Sequence, residues 1–345
     1  MAPHRPLARP GTDLDAPASP PRRHWLASTG AGLLALVAGG RPARAQADFP
    51  SRPISFVVPY TAGGASDIGA RLLAPELGRQ LGQGVVIDNV AGAAGALGVQ
   101  KVARAPADGH TLLYGSLSEA LLVPLLNPRA GYRPEDLQPV AFLGSSPVVF
   151  VARPDFAASN LDELIALARK SPGRLSYASP GIGTFQHVMG ATFEARAGVQ
   201  MVHVPYRGGQ QVMNDVIGGQ VDVGITTAVS ATGFVAAGRL KVLGVSAARR
   251  LATMPTAQAF GESAALRGLE LATWGVAYVP AGTPEAVVAR LNAALNAASM
   301  LPANVEQRAR LGAELPSVLS PAQTRAFVQA EIDKYAPVLR TLKLE

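Results

Sequence analysis

From Phe49 onward the chain alternates short β-branched runs with helical patterns, and little else lies between them. That alternation constrains the fold more than any other feature. Strand, turn and helix in steady succession imply an α/β architecture with mainly parallel sheets. Ten stretches read as strands. They are Ile54–Pro59, Val85–Asn89, Thr111–Gly115, Val140–Leu143, Val148–Ala152, Leu175–Ala178, Met201–Pro205, Val221–Thr226, Leu240–Ser246 and Thr273–Val279. About 300 residues in this pattern exceed what one doubly wound sheet needs, which favours two lobes. No low-complexity linker separates them, so packed strands must carry the chain across. The candidates are Val140–Ala152 and Thr273–Val279.

The helices between these strands carry readable punctuation. Asn160 and Glu163 have capping-box spacing ahead of Leu161, Leu164 and Ile165. Thr283-Pro284 and Ser320-Pro321 each place a cap residue before a proline at the first helical position. Phe327, Val328, Ile332 and Tyr335 share one face of the last helix. Pro75 is expected to kink the first helix or end it early.

Composition narrows the function. A hydrophobic fraction of 48% with 16% charged residues excludes a wholly disordered chain. Of the net charge of +7, residues 1–45 contribute six arginines against Asp13 and Asp15, or +4, leaving 7 − 4 = +3 for the rest. That remainder has no Lys/Arg run and few aromatics, which argues against a nucleic-acid surface. The absence of cysteine excludes disulfides, thiolate metal sites and thiol catalysis. Arg22-Arg23, the apolar run Trp25–Gly40 and Ala43-Arg44-Ala45 read as an export signal cleaved after Ala45, resembling a twin-arginine leader. A membrane helix is the competing reading, but 16 residues diluted by five Gly or Ser fall short of the roughly 20 that a span needs. The Pro/Arg-rich residues 1–21 are long for such a leader and suggest a start further in.

Three glycine turns carry the candidate chemistry. Ile54–Leu73 reads as strand, turn and helix start, with Ser66 or Asp67 as cap and Ile68, Leu72, Leu73 and Leu77 at helical spacing. Gly63 and Gly64 expose backbone N–H groups where a helix N-terminus favours an anion. No lysine, histidine or cysteine stands in that turn, so it suits holding an anion and not attacking one. Ser176–Val188 repeats the design, with Thr184 as cap; an ordinary βα turn would look alike. In His203–Gln210, Arg207 either pairs with a carboxylate or lies on the surface, and Tyr60 and Tyr206 are donors or packing residues.

Catalytic signatures are weak. Gly92–Gly98 is spaced G-x-x-G-x-x-G, and neither a Walker G-x-x-x-x-G-K nor a G-x-S-x-G elbow occurs. His110, His187 and His203 lack metal-ligand spacing. Ser116 and Ser118 beside Glu119 hint at a hydrolase, but no histidine can be assigned to them. No cofactor or metal is expected.

Seven segments together match a known family. They are Val57–Asp67, Leu81–Asn89, Ala107–Leu113, Pro172–Tyr177, His203–Gly209, Gly219–Asp222 and Pro280–Pro284. In that order the chain resembles the Bug-type (TctC-like) extracytoplasmic solute receptors of tripartite tricarboxylate transport systems, over nearly all of it from Phe49 on. The resemblance implies a two-lobed periplasmic-binding-protein fold (type II-like) joined by two crossing strands. One lobe would hold residues 46–145 and 272–345, the other 146–271. It implies a monomeric periplasmic receptor that closes on a small organic carboxylate and hands it to membrane permease subunits. A partner of a membrane histidine kinase is the alternative, and a secreted serine hydrolase the distant one.

Carried over residue by residue, the implied first-lobe contacts are Tyr60, Ala62, Gly63, Ala65 and Asp67, with Ser116 and Ser118 nearby. Those of the second lobe are Ser179, Gly183, Thr184, Tyr206 and Arg207. Specificity would vary at Phe185 and at Thr226-Thr227. Phe185 stands where the family has serines and would make the pocket more apolar. The Thr226-Thr227 region lacks the family's aspartate, which makes an amino acid a poorer candidate. Val90-Ala-Gly92 replaces the usual Pro-Gly.

Overall fold

Each apolar run expected to form a strand does so, but two of them are one strand. The computed structural model of the protein describes residues 49–269, 271–314 and 317–339. The export signal expected in residues 1–45 lies outside them. The chain begins β1 (Ile54–Val58), α1 (Ala65–Leu81), β2 (Val85–Asn89), α2 (Ala96–Ala103) and β3 (Thr111–Ser116). A π turn over Ser118–Leu122 runs into α3 (Val123–Leu126). Next come β4 (Leu137–Ala152), α4 (Leu161–Lys170), β5 (Ser176–Ser179), α5 (Phe185–Ala197), β6 (Val202–Pro205) and α6 (Gly209–Ile217). After β7 (Val223–Thr227), α7 (Ala228–Ala236) and β8 (Lys241–Val245), a short β9 (Gln258–Ala259) appears that the sequence did not announce. The chain closes with β10 (Ala272–Pro280), α8 (Glu285–Ser299), α9 (Pro302–Arg310) and α10 (Pro321–Leu339).

The strands run in the order β2-β1-β3-β10-β4-β7-β5-β6, with β8 on β4 and β9 on β8. Parallel pairs β1–β2, β1–β3, β5–β6 and β5–β7 flank two antiparallel strands at the centre. From Leu137 to Pro147, β4 pairs with β10; from Val148 to Ala152 it pairs with β7 and β8. Gly144-Ser-Ser-Pro147 looks like a gap in the sequence. The strand passes through it because Pro147, which has no N–H to give, stands where β4 changes partners. Two sheet halves with their helices form the two-lobed α/β fold, and β4 and β10 lie side by side where the halves meet.

Two irregularities interrupt the β4–β10 ladder. Leu143 falls between the pairs Gly144–Gly275 and Phe142–Val276, and Val140 between Ala141–Ala277 and Pro139–Tyr278. Each is the extra residue of a β-bulge, so its carbonyl leaves the ladder. Side chains take both carbonyls. Asn292 Nδ2 donates to Val140 O, and Arg308 Nη1 donates to Leu143 O. Gly144 takes a φ of 112°, a region open to glycine.

Helix ends differ from expectation in instructive ways. Pro75 neither ends nor shortens α1, which continues to Leu81. Leu73, Leu77 and Leu81 are buried on its inner face. At about 2 kcal/mol each they outweigh the roughly 3 kcal/mol that an internal proline costs. Neither Ser66 nor Asp67 caps α1. The N-cap is Gly64, which has no side chain to offer. Thr283 does not cap α8 either, because its hydroxyl donates back to Pro280 O. Asn160 Oδ1 accepts from Glu163 N and the Glu163 carboxylate from Ser159 N. Ser320 and Gln323 close a reciprocal box on α10. Among the described residues, no helix is long and apolar enough to cross a membrane.

Candidate ligand-binding site

A cavity of about 110 Å³ opens between the two sheet halves. Four helices bring their N-terminal turns to its wall. From the first half comes α1, with Gly64, Ala65 and Ser66. From the second come α5 with Gln186, α6 with Gly209, and α7 with Val229 and Ser230. This placement follows from the sequence, since each helix starts within a few residues of a parallel strand's carboxyl end, where such folds leave a crevice. A helix N-terminus presents unpaired N–H groups and a partial positive charge.

What occupies those N–H groups varies. At α7 the Thr227 side chain accepts from Ser230 N, and at α5 Thr184 accepts from His187 N. At α5 the first N–H, that of Phe185, donates to Ser118 Oγ from the opposite half. The α1 and α6 termini stand apart, because no side chain caps either. Ala65, Ser66 and Asp67 therefore keep N–H groups without helical acceptors. Hydroxyls of Tyr60, Ser116, Ser118, Thr226, Thr227 and Ser230 complete the polar wall. Among the described residues no carboxylate lies in it, and the one charged residue is Arg308. Such a surface suits an anion.

Behind this wall sits Glu119, fully buried. Ser116 donates to it through both N–H and hydroxyl, and Tyr60 Oη donates at 2.8 Å. Burial raises the Glu119 pKa to about 7, against the pull of the Ser116 and Tyr60 hydrogen bonds. The Tyr60 and Ser116 protons are thus directed at Glu119.

The sequence-derived residues divide into two groups. Tyr60, Ala65, Ser116, Ser118, Thr226 and Thr227 line the cavity together. The others face elsewhere. Ala62 and Gly63 are exposed, and Gly63 N donates at 2.9 Å to Asp67 Oδ2. Asp67 turns its carboxylate to Gly63, Arg71 and Asn89. Burial pushes its pKa up, but those three hydrogen bonds prevail and hold it below the ordinary value. Ser179 and Thr184 both satisfy Gly181, and Gly183 N donates to His187 Nδ1. Tyr206 Oη donates to Asp215, and Arg207 is exposed. Phe185 is fully buried against Tyr335, so its ring belongs to the core and does not make the cavity more apolar.

Two buried imidazoles support the second turn. His187 and His203 stack at 3.8 Å, and burial lowers their pKa values to about 4 and about 3, with His187 adding to the effect on His203. His203 Nε2 lies 2.7 Å from Ser179 Oγ, but Ser179 is fully buried and outside the cavity wall. Ser116, one of the serines in the cavity wall, donates to Glu119 and to no imidazole.

Sequence reading missed Arg308, Tyr114, Ser145, Thr273 and Trp274, all in the wall. One signal for Arg308 was available. Leu301, Asn304, Arg308 and Leu311 have the spacing of a helix's inner stripe, where an arginine is out of place.

Known proteins share the sequence pattern and the fold. The pattern of the tripartite tricarboxylate transporter family receptor matches residues 69–344. A Pseudomonas sp. (strain P51) protein from the tcbD–tcbE intergenic region is 40% identical over 76% of this chain and 79% of its own. BugT of Bordetella pertussis is 35% identical over 85% of this chain and 90% of its own. Among solved structures, MatC from Rhodopseudomonas palustris with bound malate superposes with a TM-score of 0.80 at 32% identity, covering 84% of this chain and all of that one. Rpa4515 of R. palustris with adipate gives 0.81 at 30% identity, covering 85% of this chain and 98% of its own.

Proposed function

The chain belongs to the tripartite tricarboxylate transporter receptor family, as a Bug-type (TctC-like) solute-binding receptor, and on that footing we propose that its cavity captures a small organic carboxylate. One observation carries the reading: the uncapped α1 terminus opens on a cavity whose wall, among the described residues, holds no carboxylate. Free N–H groups of Ala65 and Ser66, hydroxyls of Thr226 and Ser230, and the α6 and α7 ends would bind one carboxylate of the ligand. The malate and adipate in the MatC and Rpa4515 structures support the same ligand class.

Residues 46–145 and 272–345 form one lobe in this reading, and 146–271 the other. The partner change of β4 at Val148 supports that division. Contacts from both lobes favour the closed state when ligand is bound. Ser118 Oγ and Phe185 N, and Thr232 Oγ1 and Leu311 O, are bonds that opening would break. The receptor acts in the periplasm as a monomer after removal of residues 1–45. It delivers its ligand to membrane permease subunits and catalyses no reaction. Calorimetry of the purified protein against a panel of organic acids tests the reading. Binding of one of them at micromolar or tighter affinity is expected, and a folded protein that binds none refutes it.

A further inference from the structure

The capture reading leaves the charged residue of the wall without a task. Arg308 is 5% exposed and borders the cavity. Its Nη1 donates to the bulged Leu143 carbonyl, yet its Nε and Nη2 have no hydrogen-bond partner. Among the described residues no carboxylate forms an ion pair with it. A buried, unpaired guanidinium is costly unless a counter-charge arrives. The unused Nε–Nη2 edge is one of the two faces on which arginine takes a carboxylate by two parallel hydrogen bonds.

Tyr114 stands beside it. Its hydroxyl borders the cavity and makes no hydrogen bond among the described residues. It lies so close to the Gly69 backbone that a Cβ there would sit 2.4 Å from its oxygen. Burial raises the Tyr114 pKa while the Arg308 cation draws it back, in keeping with two neighbouring groups.

Gly69 lies four residues beyond Ala65 in α1, about 6 Å along the helix axis. The cavity therefore has two separate places for negative charge, one at the α1 terminus and one beside Tyr114. Its 110 Å³ is about four times the roughly 30 Å³ that a water takes in the liquid, room for a short-chain acid. We propose that Arg308, with Tyr114, forms a second anion subsite that selects organic acids bearing two carboxylates. The inference rests on the capture reading and adds the ligand's second charge and the residue that reads it.

The test compares straight-chain dicarboxylates of four to six carbons with the monocarboxylates of equal length by calorimetry. The wild-type protein should prefer the diacid by about 10- to 100-fold, the range of a charge-assisted pair. In Arg308→Met that preference should vanish while monocarboxylate affinity is kept, which also reports that the variant folds. Arg308→Lys should restore part of it. Equal affinity of the wild type for both acids overturns the inference without any variant, as does an Arg308→Met protein that keeps the preference. Neither result touches the capture reading. A wild type that binds no acid of either kind overturns both.

Discussion

Placing a carboxylate permanently where the ligand's is thought to sit gives the sharpest test of the cavity. Gly64 is the N-cap of α1, at φ −81° and ψ 172°, an extended conformation open to any residue. A Cβ there would meet nothing nearer than Thr61 O at 3.7 Å. Gly64→Asp therefore introduces no strain, and its carboxylate can accept from the first-turn N–H groups. Replacing a glycine cap by aspartate stabilises by a few tenths of a kcal/mol. The repulsion between that carboxylate and a bound one about 5 Å away is about 3 kcal/mol at an effective dielectric near 20. This corresponds to roughly a 100-fold weaker Kd. The variant should thus melt at or slightly above the wild-type temperature while binding organic acids far more weakly. Gly64→Ala, which adds the methyl without the charge, should bind nearly as the wild type does. Calorimetry and thermal unfolding on the three proteins decide the matter. Unchanged affinity in Gly64→Asp, or an equal loss in Gly64→Ala, refutes the assignment of the α1 terminus to the ligand.

Three further outcomes follow from groups behind the wall. Glu119 has a folded pKa near 7 against an ordinary 4.5, so between those values the native state holds a proton that the unfolded state has lost. Its contribution is present below pH 4.5 and falls away by about 3 kcal/mol as pH rises through 7, a loss that Glu119→Gln should abolish in urea titrations. Identical pH slopes for the two proteins would contradict this. The imidazoles of His187 and His203 have the opposite sign. With folded pKa values of about 4 and about 3, they favour the native state above pH 6.5 and cease to do so as pH falls through 4 and 3. Their NMR shifts should report neutral rings at pH 5.5, and a protonated ring there would refute the burial argument. Gly69→Ala should lower stability by about 1–3 kcal/mol even though alanine favours a helix by nearly 1 kcal/mol. The new methyl would stand 2.4 Å from the Tyr114 oxygen and 2.8 Å from Cζ, so the ring must shift to admit it. Urea unfolding with no loss in Gly69→Ala would show that the ring has room to move.

The sequence carried the layering of the fold well, because strand and helix periods are local properties. It failed where two segments decide together. The break at Gly144–Pro147 was visible as local chemistry, but the pairing of β4 with β10 that spans it was not. Site residues divide in the same way. Tyr60, Ala65 and Ser116 sit in turns whose motif is contiguous, and they reach the cavity. Asp67 and Tyr206 have the right residue types, but each is claimed by a partner further along the chain, Asn89 in one case and Asp215 in the other. Arg308 was hidden for a different reason. Its helix lies more than 160 residues from the strand that holds it, and only the misplaced polarity at Asn304 and Arg308 marked the inner stripe.

The grip of Leu143 on Arg308 has a consequence for how such a site can change. The acceptor is a main-chain oxygen, so no replacement of the Leu143 side chain removes it. What places that oxygen outside the ladder is one surplus residue in β4 relative to β10. Removing one residue between Phe142 and Gly144 would return the strand to register and erase the anchor, whereas relettering it would not. At this position the address of the arginine is written as a count, and insertions and deletions, which are usually thought to act on loops, become the mutations that retune the interior.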